Sequence, residues 1–313
     1  MTTWKVLITD GLSDKGIAIL SSAAQVDNKP DISADDLLKV AGDYDAMVVR
    51  GRTKVTAAVF EVAKKLKAVG RAGVGVDNID LTAARSHGVT VVNAPKSTSL
   101  AVAELAVGMM LSLARMVPKA DGTMKQGQWI KKQLEGIELT GKTLGIVGMG
   151  NIGTALTRCV TGFGMKVLAY DNLVPPDEIK KRGAEPVSLQ ELYARSDFIS
   201  FHLPLTPESK GMVNGQAFAQ MKRGVRIVDA ARGGIIDETA LLAALESGQV
   251  AAAALDVFAT EPPGLTALVA HPNVVATPHI GAQTEEAQDR AAEDIASEVL
   301  NVLQAKPLRW KIV

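Results

Sequence analysis

Short apolar runs alternate with longer amphipathic stretches along the whole chain. In the first third the runs lie at 5–9, 46–50, 66–70 and 89–93, and each reads as a strand. One of the intervening stretches opens at Ser33 with Asp36 three positions on, close to a helix capping box. A second series begins at 143–147 and continues through 166–171, 197–201, 225–229, 252–257 and 273–277. Runs that are apolar throughout suit strands covered on both faces. Their alternation with helical stretches predicts parallel sheets flanked by helices. Two such series predict an α/β protein with two doubly wound parallel-sheet domains. Residues 99–115 are apolar on more than one face and read as a long helix buried between domains or subunits. The last helix, 285–303, has the length to return to the first domain, which periodicity alone does not decide. No solenoid repeat or low-complexity tract is visible.

Composition narrows the picture. Hydrophobic residues make up 47% of the 313 positions but aromatics only 4%, so the core is built mostly of Ala, Val, Leu and Ile. Lys and Arg together number 34, as do Asp and Glu, which removes the basic excess expected of a phosphate-binding nucleic-acid protein. The single cysteine, Cys159, permits no internal disulfide and no cysteine-rich zinc site, and its place on the apolar face of a helix marks it as packing; no metal is expected. The chain runs into a strand directly after MetThrThr, without a basic and then apolar leader, and no uncharged run reaches the ~20 residues of a membrane span. A cytoplasmic protein is expected.

The first candidate chemistry is the loop from Gly148 to Gly153, which follows a strand and opens a helix. Gly148 permits a tight turn, Gly150 a close approach of the backbone to a pyrophosphate, and Gly153 close helix–strand packing, with Asn151 and Ile152 at the helix start. Asp171 ends the next strand, 18 residues after Gly153, where a carboxylate accepts hydrogen bonds from both ribose hydroxyls. It would repel a 2′-phosphate, and no arginine follows within a few residues, so NAD is favoured over NADP.

Three further strand ends carry candidate catalytic groups. Arg232 precedes Gly233 and Gly234, which give its planar fork room to clamp a carboxylate. His279 lies between Pro278 and Gly281 and is suited to carry a proton. Glu261 is placed to hold one nitrogen of that ring and favour its protonated form. His202 is read as lining of the cofactor site, and His87 and His271 as loop residues.

Taken together, the segments 141–153, 229–238, 252–262 and 277–284 resemble the D-isomer-specific 2-hydroxyacid dehydrogenase family, with a match over nearly the whole chain. The resemblance implies a Rossmann NAD-binding domain at 96–284 inserted into a flavodoxin-like substrate domain made of 1–95 and 285–313. It also implies a homodimer, or a tetramer, built around the cofactor domains and the 99–115 helix. The family's arginine, glutamate and histidine correspond to Arg232, Glu261 and His279. Its nicotinamide-contacting aspartate corresponds to Asp256, and its other cofactor contacts fall on Pro204, Thr206, Ala230 and Gly281.

Segments 48–56, 70–80 and 104–115 resemble the branch of that family acting on a phosphorylated hydroxy acid. Arg50, Arg52 and Lys54 cluster just after a strand, where open α/β sheets bind ligands, and suit a phosphate monoester. Arg71, Lys131 and Lys132 are further candidates, the lysines from a partner subunit. Gly73, Val74, Ser97 and Thr98 are the expected backbone and hydroxyl contacts to substrate. Two departures stand out: the family's AsnGlyAsnSer-like loop reads LysSerThrSer at 96–99, and Arg52 replaces a small residue. The chain ends at Val313, without the C-terminal regulatory domains of longer relatives, so feedback through such a domain is not expected. The expected activity is NAD-dependent oxidation of a phosphorylated D-2-hydroxy acid. The alternatives are a hydroxypyruvate or glyoxylate reductase and, in another class, an NAD-sensing corepressor.

Overall fold

A computed structural model describes residues 4–313; Met1–Thr3, on which the expectation about a leader partly rests, lie outside the described residues. The chain forms two compact units. One comprises the residues up to Thr98 together with Ala282–Val313, the other Ser99–Gly281, so the junctions lie slightly inside the expected bounds of the cofactor domain.

The first unit is built on five parallel strands: β1 (Trp4–Ile8), β2 (Ala24–Asn28), β3 (Ala46–Val49), β4 (Ala68–Arg71) and β5 (Thr90–Asn93), in the order β2-β1-β3-β4-β5. That is the flavodoxin-like order. β2 was not legible in the sequence: AlaGlnValAspAsn alternates, as an edge strand does, and lacks the apolar run of its neighbours. Helix Glu285–Leu303 packs on this sheet, with Ile295, Ala296 and Val299 buried among Val6, Ile8, Val48 and Val92. Gly70 in β4 makes the close approach possible, since a Cβ there would meet Val299 Cγ2 at 2.6 Å. The fully buried Glu298 accepts the N–H groups of Arg309 (2.8 Å) and Trp310 (3.1 Å), which turns the last residues back along β5.

The second unit holds seven parallel strands: β6 (Thr143–Val147), β7 (Lys166–Tyr170), β8 (Glu185–Pro186), β9 (Phe198–Phe201), β10 (Val225–Asp229), β11 (Val250–Leu255) and β12 (Val274–Ala276). Their order is β12-β11-β10-β9-β6-β7-β8, a Rossmann arrangement. The chain winds one way through β6, β7 and β8, then crosses to β9 and winds the other way. The carboxyl ends of β6 and β9 therefore form the switch point at which such sheets bind ligands. Helix Ser99–Arg115 packs into the core of this unit: Ala103, Ala106 and Met110 are buried with Leu144, Ile146, Leu156 and Phe198. Part of its apolar surface is thus used within this unit. Among the described residues no single helix is long and apolar enough to cross a membrane.

Candidate active site

The glycine loop leaves β6 and turns directly into helix Asn151–Thr161. Gly148 has φ +100°, and a Cβ there would run into the carbonyl of His202 at the end of β9. A Cβ on Gly153 would run into the carbonyl of Gly148. Gly150, in contrast, faces open space, and it stands directly before the N–H groups of the helix start. The arrangement leaves room for an anion where the backbone is barest. Asp171, just after β7, directs one carboxylate oxygen to the Met149 N–H (2.7 Å) and the other to the N–H groups of Leu173 (2.8 Å) and Val174 (3.0 Å).

His202 sits beneath this loop. The residue is only half-buried, yet its ring is turned inward: Nε2 lies 2.8 Å from Ser200 Oγ, Nδ1 is shielded from solvent, and burial pushes the imidazole down to about 4. It is therefore neutral at physiological pH. The loop after it is knit by Ser209, whose hydroxyl bonds the Pro204 carbonyl (2.7 Å) and accepts the Thr206 N–H (2.7 Å).

Around β10, β11 and β12 the catalytic candidates come together. His279 adopts φ +54°, a left-handed conformation uncommon outside glycine, and its Nδ1 lies 2.8 Å from Glu261 Oε2. Both side chains are partly open to solvent. The other oxygen of Glu261 accepts the Phe258 N–H (3.1 Å). Gly233 lies against the next peptide, where a Cβ would run into the Phe258 carbonyl. Phe258 thus ties the Arg232–Gly233 turn to the carboxylate that holds His279. Arg232 is half-buried, with Nη1 on the Ala231 carbonyl (2.7 Å).

Two buried aspartates organise these turns. Asp229, at the end of β10, accepts the N–H groups of Ala231 (2.9 Å) and Arg232, and burial pushes its carboxyl up to about 7. Its carbonyl accepts the Asp256 N–H (2.8 Å). Asp256 in turn accepts from Thr277 Oγ1 (2.6 Å), Ile280 N–H (2.8 Å) and Gly281 N–H (2.8 Å), so both its oxygens grip the segment that carries His279. Ala230, the residue after Asp229, is buried.

In the first unit, the loop after β3 is held by Asp10, which accepts the N–H groups of Arg50 (2.7 Å) and Thr53 (3.1 Å), and by Asn78, which donates to the carbonyls of Arg50 (3.0 Å) and Thr53 (2.6 Å). Arg50 is half-buried with one contact to Gln283 Oε1 (3.3 Å), and Lys54 is exposed. The guanidinium of Arg52 folds back onto the carbonyls of Thr9, Pro30 and Ile32 and onto Asp10. These contacts brace the loop. Val74 and Gly73 are held by their carbonyls, which accept from Asn93 Nδ2 (2.7 Å) and the Ala94 N–H (2.9 Å). The Ser97 hydroxyl is buried on the Ala94 carbonyl (2.9 Å); Thr98 is likewise buried, and Lys96 is exposed. Lys131 and Lys132 lie exposed in the short turn Lys131–Gln133 of the second unit. Arg71 lies against Gly73.

A sequence-family profile described as "D-isomer specific 2-hydroxyacid dehydrogenase, NAD binding domain" matches residues 107–281. The chain belongs to the D-isomer specific 2-hydroxyacid dehydrogenase family. It is 47% identical over 305 residues to D-3-phosphoglycerate dehydrogenase of Rattus norvegicus, covering 97% of this chain and 57% of that protein. The chain therefore spans little more than half the length of the curated relatives it matches. The crystal structure of a Thermus thermophilus protein superposes with a TM-score of 0.91 at 34% identity, covering 99% of this chain and all of the other. A glyoxylate reductase from Paecilomyes thermophila does so with a TM-score of 0.90 at 30% identity, covering 100% and 99%.

For this member of the family, sequence reasoning passed over four residues that shape the candidate site. Asp10 and Asn78 brace the cation loop, Asp229 holds the Arg232 turn, and Arg182 bonds the carbonyl of Met149 at 2.6 Å. Only Asp229 carried a signal, as a charged residue ending an otherwise apolar run. The second unit is the NAD-binding domain, and NAD is the cofactor that its glycine loop and Asp171 fit.

Proposed function

We propose that the chain oxidises D-3-phosphoglycerate to 3-phosphohydroxypyruvate with NAD, the opening step of serine synthesis. The observation that carries the chemistry is the Glu261–His279 pair joined through Phe258 to the Arg232 turn. The name of the rat relative supports the choice of acid.

Bound NAD supplies the acceptor for the hydride that leaves C2. Arg232 holds the substrate carboxylate by its fork. Glu261 accepts the Nδ1 proton of His279, which leaves the Nε2 lone pair to take the proton of the C2 hydroxyl. The O–H proton passes to His279 Nε2 as the bond from C2 to its oxygen becomes C=O. Asp256 and Asp229 act one step back, on the backbone of the segments bearing His279 and Arg232. For the phosphate we assign Arg50 and Lys54, whose positive charge suits a dianion. A multiply charged substrate does not cross a bilayer unaided, which supports a cytoplasmic place of action. A homodimer belongs to the same proposal. It is supported by helix Val117–Lys125, which buries no residue and exposes Val117 and Met124, and by the exposed Trp129 beyond it.

Steady-state kinetics with a panel of phosphorylated and unphosphorylated 2-hydroxy acids test the proposal. Preferred turnover of D-3-phosphoglycerate with NAD is expected. Equal or better rates on glycerate or glyoxylate-type acids would reject the phosphorylated substrate while leaving the dehydrogenase chemistry standing.

A further inference from the structure

The peptide groups of Met149 lie between the first two glycines of the loop, and side chains hold it at both ends. Its N–H donates to Asp171 Oδ2 at 2.7 Å, and its carbonyl accepts from Arg182 Nη1 at 2.6 Å. Arg182 stands at the end of helix Pro176–Lys181, where its cation also suits the helix carboxyl terminus. Its Nε donates to Glu178 Oε1 at 3.1 Å, and only 28% of the side chain is exposed. Met149 itself is fully buried.

A loop with glycine on both sides of one residue is conformationally loose, and binding an anion there costs the entropy of ordering it. We propose that Arg182 is a positioning residue for the dinucleotide: it pins the Met149 carbonyl, and so presets the Gly150 turn and the start of helix Asn151–Thr161 for the pyrophosphate. The inference rests on the reading of this loop as the seat of NAD. It also assigns a different role to an arginine that the fold brings to the cofactor loop. Its Nη1 and Nε donate to Met149 and Glu178, and the carboxylate of Asp171 bonds the same residue, Met149. Arg182 therefore serves the loop, and not a 2′-phosphate.

The test is calorimetric titration of NAD and NADP into the purified chain and its Arg182→Met and Arg182→Lys variants, with thermal melts and kinetics alongside. Arg182→Met should raise the Kd for NAD about tenfold, the size of one charge-assisted hydrogen bond. Arg182→Lys, which keeps a cationic donor, should recover part of the loss. The KM for NAD should rise with the Kd, while kcat at saturating NAD and the KM for the hydroxy acid stay within about twofold. A folded Arg182→Met variant with unchanged NAD affinity overturns the proposal. So does a loss confined to NADP, which would make Arg182 a phosphate receptor, or a fall in kcat without a change in NAD affinity. A parent chain that binds neither dinucleotide refutes the reading of the loop itself, and is told apart by the parent titration alone.

Discussion

Glu261 and His279 meet at 2.8 Å through Oε2 and Nδ1, and the second Glu261 oxygen holds the N–H of Phe258, the residue whose carbonyl the Arg232 turn rests against. One carboxylate therefore selects the imidazole tautomer and anchors the neighbouring turn. His279 adopts a backbone conformation that costs about 1–3 kcal/mol, and the three bonds of Asp256 to Thr277, Ile280 and Gly281 hold it there.

Loss of the proton acceptor should separate chemistry from cofactor binding. His279→Ala is expected to lower kcat by about 10²–10⁴ while NAD affinity, measured by titration, stays within about twofold. Glu261→Gln keeps a hydrogen-bond acceptor for Nδ1 but not the charge, so it should give a smaller fall. Near-full turnover by His279→Ala would remove it from the mechanism.

Arg232→Lys should act on the hydroxy acid. A lysine keeps the charge but not the planar fork, so the loss of one charge-assisted bond, about 1.5–3 kcal/mol, should raise KM by about 10–100-fold. An unchanged KM would argue against carboxylate binding by this residue.

The two arginines of the β3 loop should part company. Arg50→Ala and Lys54→Ala are expected to erode the preference for phosphorylated over unphosphorylated acids in a competition assay. Arg52 braces Thr9, Pro30 and Ile32. Arg52→Ala should therefore lower the melting temperature by about 2–4 °C for each kcal/mol lost, and leave that preference in place. A reversed pattern would restore Arg52 to the phosphate.

Asp229 and His202 impose opposite pH dependences on stability. Burial raises the Asp229 carboxyl from 3.8 to about 7, so the folded state holds a proton that the unfolded chain has released. This contribution is present below about pH 4 and is lost as pH rises through 7. Burial lowers His202 from 6.5 to about 4, so its contribution is present above 6.5 and is lost as pH falls towards 4. Melts across that range should show Asp229→Asn gaining stability over the parent chain chiefly at the alkaline end. His202→Asn should gain chiefly at the acid end. Parallel curves for parent and variant would contradict the assignment.

The sequence by itself determined the two parallel-sheet series, the glycine loop and the strand ends bearing Arg232, Glu261 and His279, because apolar periodicity and turn chemistry are local. It was less informative for β2 and β8, edge strands too short or too alternating to stand out. Tertiary structure alone decided that helix Glu285–Leu303 packs on the first sheet, that Phe258 joins two turns, and that Arg52 and the Ser97 hydroxyl turn onto backbone carbonyls. It alone brought Arg182 to Met149 across 33 positions and buried Asp229 beside the Arg232 turn. The physical reason is common to all of these. Which donor meets which acceptor, and how deeply a carboxylate is buried, depends on neighbours set by strand order. Residue type and spacing along the chain do not record them.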